Sequence, residues 1–195
     1  MGYSDLVLDY KKEYRSTEEL RLDVDSLFTE KYFSGIPEKK EKKQVLNFIP
    51  GDIYCFKYLT DSTISEKRKF INRYPLIVCL GSYDSQLGRI LRGIDLICVP
   101  PEYRLKILER IYDSFTEKIE KNQPLPLTDE NLSKLLKDTG YFLSVFGFKI
   151  KFIQELRVID QEDWKKIPYL NRSYIEGSNQ KEIYREYISK LNKKD

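Results

Sequence analysis

Histidine is absent from this chain of 195 residues. That removes the commonest general base near neutral pH and the commonest metal ligand. Serine–histidine and cysteine–histidine machinery is excluded with it, as are histidine-bearing zinc sites. Cysteine is scarce and odd in number: Cys55, Cys79 and Cys98 each lie in an apolar, strand-like run with no CxxC spacing. Small buried hydrophobes in a reducing compartment are expected, not a disulfide framework. Neither GxxxxGK[ST] nor GxGxxG occurs, so the phosphate loop and the dinucleotide fingerprint are excluded. No run approaches the roughly 20 apolar residues of a membrane span. The stretch MGYSDLVLDYKKEYRS has no apolar core or cleavage signature, and Leu6 stands where a myristoylation signal carries Ser or Thr. The expectation is a protein made in a cytoplasm, with no membrane partner. There is no large excess of one charge either. Against 34 basic residues stand 31 acidic ones, a net charge of +3, too balanced to imply nucleic-acid binding except through a local patch.

What is present is core-forming material. Hydrophobic residues make up 41% and charged residues 33%, with 15 Tyr and 10 Phe, enough for one domain of ordinary size. Residues 1–15 are mixed polar and read as loose or partner-dependent. Ser16 opens a capping box with Glu19, and Leu20, Val24, Leu27 and Phe28 follow at helical spacing. This predicts a helix over about 16–33 with one narrow apolar face, which could dock on its own domain or serve as an assembly contact on a neighbouring subunit. Gly35 and Pro37 stop it, and Glu38–Lys43 reads as a charged linker. Residues 1–45 thus form an N-terminal extension and residues 46–195 a single domain.

Within that domain, Ile53–Tyr58, Leu76–Leu80, Ile94–Val99, Phe148–Phe152 and Leu156–Ile159 read as strands, with Gly81–Ser85 a turn or loop. Pro100-Pro101 opens a helix whose face is Leu105, Leu108, Tyr112, Phe115 and Ile119. Thr128 caps a second helix, with Leu132, Leu135 and Leu136 inward, running towards Gly147. Ser178 caps the last, where Ile183, Tyr187, Ile188 and Leu191 share a face. Strands and helices mix without regular βαβ alternation. The fold class is therefore α+β: a small, mostly antiparallel sheet, several packed helices and a helical N-terminal extension.

Candidate sites are few. Gly88 and Gly93 flank Arg89 and Arg92; glycine lets backbone approach a phosphate and arginine binds one bidentately, though a glycine-containing turn with two surface arginines is the favoured reading. A metal-dependent nuclease needs converging carboxylates, and Asp52, Asp84 and Asp95 are scattered while the ExK tripeptides lie in the linker. Trp164 beside Asp163 and Lys165 is a packing anchor before it is a base-stacking platform. Lys190, Lys193 and Lys194 complement the dipole of the last helix. No catalytic or metal-ligating constellation emerges.

One longer pattern remains. Pro50-Gly51-Asp52-Ile53-Tyr54 with Phe56 and Tyr58 is followed by Arg73-Tyr74-Pro75-Leu76-Ile77. Then come Gly93-Ile94-Asp95-Leu96, Pro100-Pro101 with Arg104, and the acidic turn Ile159-Asp160-Gln161-Glu162-Asp163-Trp164. Together, over about residues 46–170, they resemble the tailed-phage DNA end-protector family, also called head-completion proteins. The chain departs from the family pattern at Asp95, where Asn is usual. The resemblance implies a non-enzymatic virion protein, made in the host bacterial cytoplasm, that acts at the head–tail vertex or on the packaged DNA terminus without a cofactor. Its implied partners are other virion proteins (portal, neck or head), within an oligomer, and double-stranded DNA ends.

On that reading, Arg68, Arg73, Arg89 and Arg92 are expected to form a basic surface for backbone phosphates. The rivals are a neck or ring subunit contacting only protein and, more weakly, the metal-dependent nuclease. Clustered arginines favour DNA; dispersed or acid-paired arginines favour assembly.

Overall fold

A computed structural model of the chain describes residues 2–33, 47–59, 70–121, 123–171 and 175–193. Its centre is a five-stranded antiparallel sheet of β1 (Ile53–Tyr58), β3 (Leu76–Ser85), β4 (Gly88–Asp95), β5 (Val145–Lys149) and β6 (Ile153–Val158), in the order β5-β4-β3-β1-β6. A two-stranded ribbon pairs β2 (Ile71–Asn72) with β7 (Ile175–Glu176). The α+β class is observed as expected.

β5 and β6 are opposite edges of the sheet, yet only the 3-10 turn Ile150–Phe152 separates them in sequence. The sheet must therefore roll until its edges approach. The turn is tied to the far end of β1: the Leu59 N–H donates to the Phe152 carbonyl at 2.9 Å, and the Lys149 N–H to the Tyr58 hydroxyl at 3.3 Å. Strand alternation then sends successive side chains to two different cores. Tyr54, Phe56, Tyr58, Ile77, Cys79, Leu91 and Phe148 fill the inside of the roll. There Phe148 meets Phe56 at 5.2 Å and Tyr58 at 5.3 Å, both edge to face, a favoured aromatic geometry. Ile53, Cys55, Leu76, Val78 and Ile94 face outwards into the helices. Burial on both faces explains why β1 and the first half of β3 read as continuous apolar runs. Cys55, Cys79 and Cys98 are all buried and none is in a disulfide, and burial pushes the first two thiols up to about 12.

Residues 1–15 differ from expectation. Tyr3–Lys12 form a helix, α1, with Tyr3, Val7 and Tyr10 buried at i, i+4 and i+7. The Tyr3 hydroxyl donates to the Trp164 carbonyl at 2.7 Å and the Tyr3 N–H to Asp113 at 2.8 Å. α2 (Thr17–Phe28) is capped by Ser16 as read, and a π turn, Thr29–Phe33, prolongs it. Leu20, Val24 and Phe28 are buried in the same cluster as Ile53 and Leu76, and Leu27 packs against it half-buried. Of the two destinations open to this face, its own domain is the one observed. Each such buried side chain contributes about 1.5–3 kcal/mol, so α1 and α2 are integral to the core that residues 46–195 were expected to build alone. Glu38–Lys43 lies outside the described residues.

Other expectations shift too: the strands read at Phe148–Phe152 and Leu156–Ile159 fall instead at Val145–Lys149 and Ile153–Val158, either side of the 3-10 turn. Gly81–Ser85 continues β3, because the hairpin turn falls at Gln86-Leu87 and Gly81 (φ +108) sits at a bulge. The predicted strand Ile94–Val99 is the end of β4 followed by a 3-10 turn, Leu96–Cys98. The buried face of α3 (Pro101–Glu120) is Arg104, Ile107, Leu108, Ile111 and Ile119, with Leu105, Tyr112 and Phe115 only partly covered. Thr128 caps α4 (Asp129–Leu135) as expected, but that helix ends long before Gly147, and Asn179, not Ser178, caps α5 (Gln180–Leu191). Among the described residues, no helix is long and apolar enough to cross a membrane.

Candidate nucleic-acid interface

Of the arginines expected to form one basic surface, Arg73 and Arg92 are each tied to a carboxylate. Arg68 lies outside the described residues. Arg73 sits in the loop after β2, where its guanidinium donates to Glu176 at 2.7 Å and to the Tyr58 carbonyl at 3.3 Å. Arg92 on β4 forms a two-point pair with Asp129 on α4, at 2.7 and 3.1 Å, which holds the Asp129 carboxyl below its usual range. Arg89 differs from both. It donates to the Ser82 hydroxyl at 3.0 Å and makes no ion pair among the described residues, although Asp84 is its ladder partner.

Strand register brings other cations beside it. Ile90, the next residue, is paired with Lys149 of β5. Lys151 follows two residues later in the 3-10 turn. The Lys149 and Lys151 ammonium groups lie 6.0 and 5.0 Å from the centre of the Phe152 ring, a cation–π arrangement that leaves their positive charge unneutralised. Neither has a carboxylate partner among the described residues. Arg89, which alternation places on the opposite face of β4 from Ile90 and Lys149, thus marks with Lys149 and Lys151 a basic corner, set by register, where the β3–β4 hairpin meets the β5–β6 turn. The two lysines were missed in the sequence because they stood inside a predicted strand. Their signal was the Lys-Ile-Lys spacing directly after the aromatic strand Phe146–Phe148.

Gly88 and Gly93 serve the fold. Gly88 takes φ +97 at the hairpin turn, and a Cβ on Gly93 would stand 2.7 Å from the Ile77 side chain. Trp164 is the packing anchor it was read to be, buried and donating to the Ile159 carbonyl at 3.3 Å.

Asp160, Glu162 and Asp163 bring their carboxylates together. The Lys31 ammonium already occupies the position a cation would take, 2.7 Å from both Asp160 and Asp163. Burial pushes the Asp163 carboxyl up, but hydrogen bonds from Lys166, Lys31 and Tyr32 outweigh it and hold the group below its usual range. The cluster fastens the end of the N-terminal helices onto the turn that carries Trp164. A nearby cleft of about 260 Å³, lined by Ile49, Asp52, Leu125, Val158, Asp160 and Trp164 among others, contains carboxylates and no Lys or Arg.

Residues 5–181 match the family described as phage T4 terminal DNA protecting protein. The match takes in α1 and α2 as well as the sheet. No curated protein matches the chain, and no solved structure does. The chain belongs to this terminal DNA protecting protein family.

Proposed function

We propose that this member of the terminal DNA protecting family shields an end of packaged phage DNA without turning it over. Family membership over residues 5–181 carries the reading. The basic corner of Arg89, Lys149 and Lys151 supports it, because phosphate contacts by Lys and Arg supply most sequence-independent affinity for DNA. The mechanism is steric and electrostatic. Cations hold the phosphates near the terminus while the domain fills the space a nuclease needs. The place of action is the head–tail vertex of the virion, where the protein completes the head in contact with portal, neck or head proteins.

A second reading is a neck or ring subunit that touches only protein. The acid-paired state of Arg73 and Arg92 favours it, since paired charges suit an assembly surface better than a phosphate track.

Exonuclease digestion of linear duplex DNA with the purified protein decides between them, beside binding to closed circular DNA at low and moderate salt. Protection is expected, and it should weaken in the triple variant Arg89→Ala, Lys149→Ala, Lys151→Ala. The salt slope of that variant should fall by roughly 0.9 for each phosphate contact removed. Failure to bind either DNA would overturn the end-protection reading and leave the protein-only subunit.

A further inference from the structure

We infer that the tip of the β3–β4 hairpin stacks on the terminal base pair of a duplex, and that Tyr83 and Leu87 make the protein prefer an end to a duplex interior. This rests on the end-protection reading above.

The hairpin tip is built to hold its shape. Ser85 and Gly88 are ladder partners. The Ser85 hydroxyl accepts from the Leu87 N–H at 3.1 Å and donates to the Gly88 carbonyl at 2.8 Å. Such local side-chain bonds fix a turn. On this tip Leu87 is 64% exposed and Tyr83 52% exposed. Single exposed apolar residues are ordinary on a protein surface. These two differ from exposed Leu8 and Leu22, which stand on helices, by sharing one hairpin with Arg89, whose neighbour Ile90 lies between Tyr83 on one side and Lys149 on the other. The Tyr83 ring has support below it. Its ladder partner is buried Ile90, and its hydroxyl reaches Gly147 of β5, 3.9 Å from where a Cβ there would stand.

The chemistry of the occupant follows. Cations bind the phosphates of any duplex, whether interior or end. Only an end exposes the flat, apolar face of a base pair. An aromatic ring and a branched aliphatic side chain beside unneutralised cations complement that combination of surfaces. A nuclease that must grip the terminal base pair is then excluded by direct contact. Stacking on a base is worth about 1–3 kcal/mol, which corresponds to roughly a 5- to 150-fold preference.

The test compares affinity of the full chain for a short blunt duplex and for the same duplex closed at both ends by hairpin loops. Wild type should bind the open duplex about tenfold more tightly, within the range stacking supplies. Tyr83→Ala with Leu87→Ser should bring the two affinities together, leaving the closed-duplex affinity and its salt dependence unchanged. Tyr83→Phe should keep the preference, and Arg89→Ala should weaken both duplexes alike. Persistence of the end preference in Tyr83→Ala, Leu87→Ser would overturn the inference. So would loss of self-association in that variant with end preference intact, which would make the tip a contact between copies. Equal wild-type affinity for both duplexes sinks stacking while DNA binding stands; binding to neither sinks the end-protection reading itself.

Discussion

Charge is handled in opposite ways at the two ends of β1. Near its start, where the Ile159 N–H donates to the Ile53 carbonyl, Lys31 lies among Asp160, Glu162 and Asp163, and its charge is met by carboxylates. Near its end, beside Tyr58 and Leu59, Lys149 and Lys151 project from the turn with no carboxylate partner among the described residues. A buried ion costs several kcal/mol unless partners surround it, and buried Asp163 is accordingly held by Lys31, Lys166 and Tyr32. An exposed cation carries no such penalty and stays available to an anionic partner. The contrast separates charges that build the domain from charges that can leave water for a ligand.

The largest effect expected on the building side is at Arg104. It is fully buried, and its guanidinium donates to the carbonyls of Val99, Ile167 and Leu170 and to the Tyr184 hydroxyl. One side chain thus joins the start of α3, the turn after Trp164 and α5. Arg104→Met would orphan several buried carbonyls, each costing about 1–3 kcal/mol. Urea denaturation should show a loss of at least about 3 kcal/mol, while Arg89→Ala should stay within about 0.5 kcal/mol, the usual range for an exposed site. Equal stabilities for the two variants would erase the contrast.

Asp95 sharpens the comparison through pH. Among the described residues it is the one acid that is fully buried without a cation: Asn72 donates to it at 2.8 Å and the Ile97 N–H at 3.2 Å. Burial raises its carboxyl to about 6, against the hydrogen bonds that favour the charged form. The folded state therefore holds this proton more tightly than the unfolded chain, whose Asp titrates near about 3.9. The resulting stability is present at low pH, is lost as pH rises between those two values, and is level above. Relative to Asp95→Asn, wild type should lose about 2 kcal/mol between roughly pH 4.5 and pH 7. Parallel pH profiles of urea midpoints for the two proteins would show that Asp95 is not titrating in this window.

Much of the fold was legible because its signals are local. Ile53–Tyr58 was read to its observed ends, and Ser16, Pro101 and Thr128 start their helices as caps and first-turn residues should. α1 was missed because two of its three buried residues are tyrosines, which count equally as core and as surface. Gly81 was misread as a turn because bulge and turn glycines share the same positive φ. The fate of the arginines was not legible at all. The partner of Arg92 is 37 residues away and that of Arg73 is 103 away, and only the folded chain brings them together. The basic corner likewise depends on the register of β4 against β5.

The smallest effect expected is at Arg92, which gives the closest control for Arg89. Both arginines stand on β4, three residues apart, and both were read as phosphate contacts. Arg92 is held by Asp129 at the surface, a kind of pair worth about 0–1 kcal/mol. Arg92→Ala should therefore change stability by less than about 1 kcal/mol. Its affinity for DNA should stay close to wild type, because its positive charge is already matched by a carboxylate. Arg89→Ala should be the reverse, neutral in stability but weaker on DNA. If Arg92→Ala instead weakened DNA binding as much as Arg89→Ala, the Asp129 pair would have to open on contact with phosphate, and the interface would extend from the hairpin tip across the outer face of the sheet to α4.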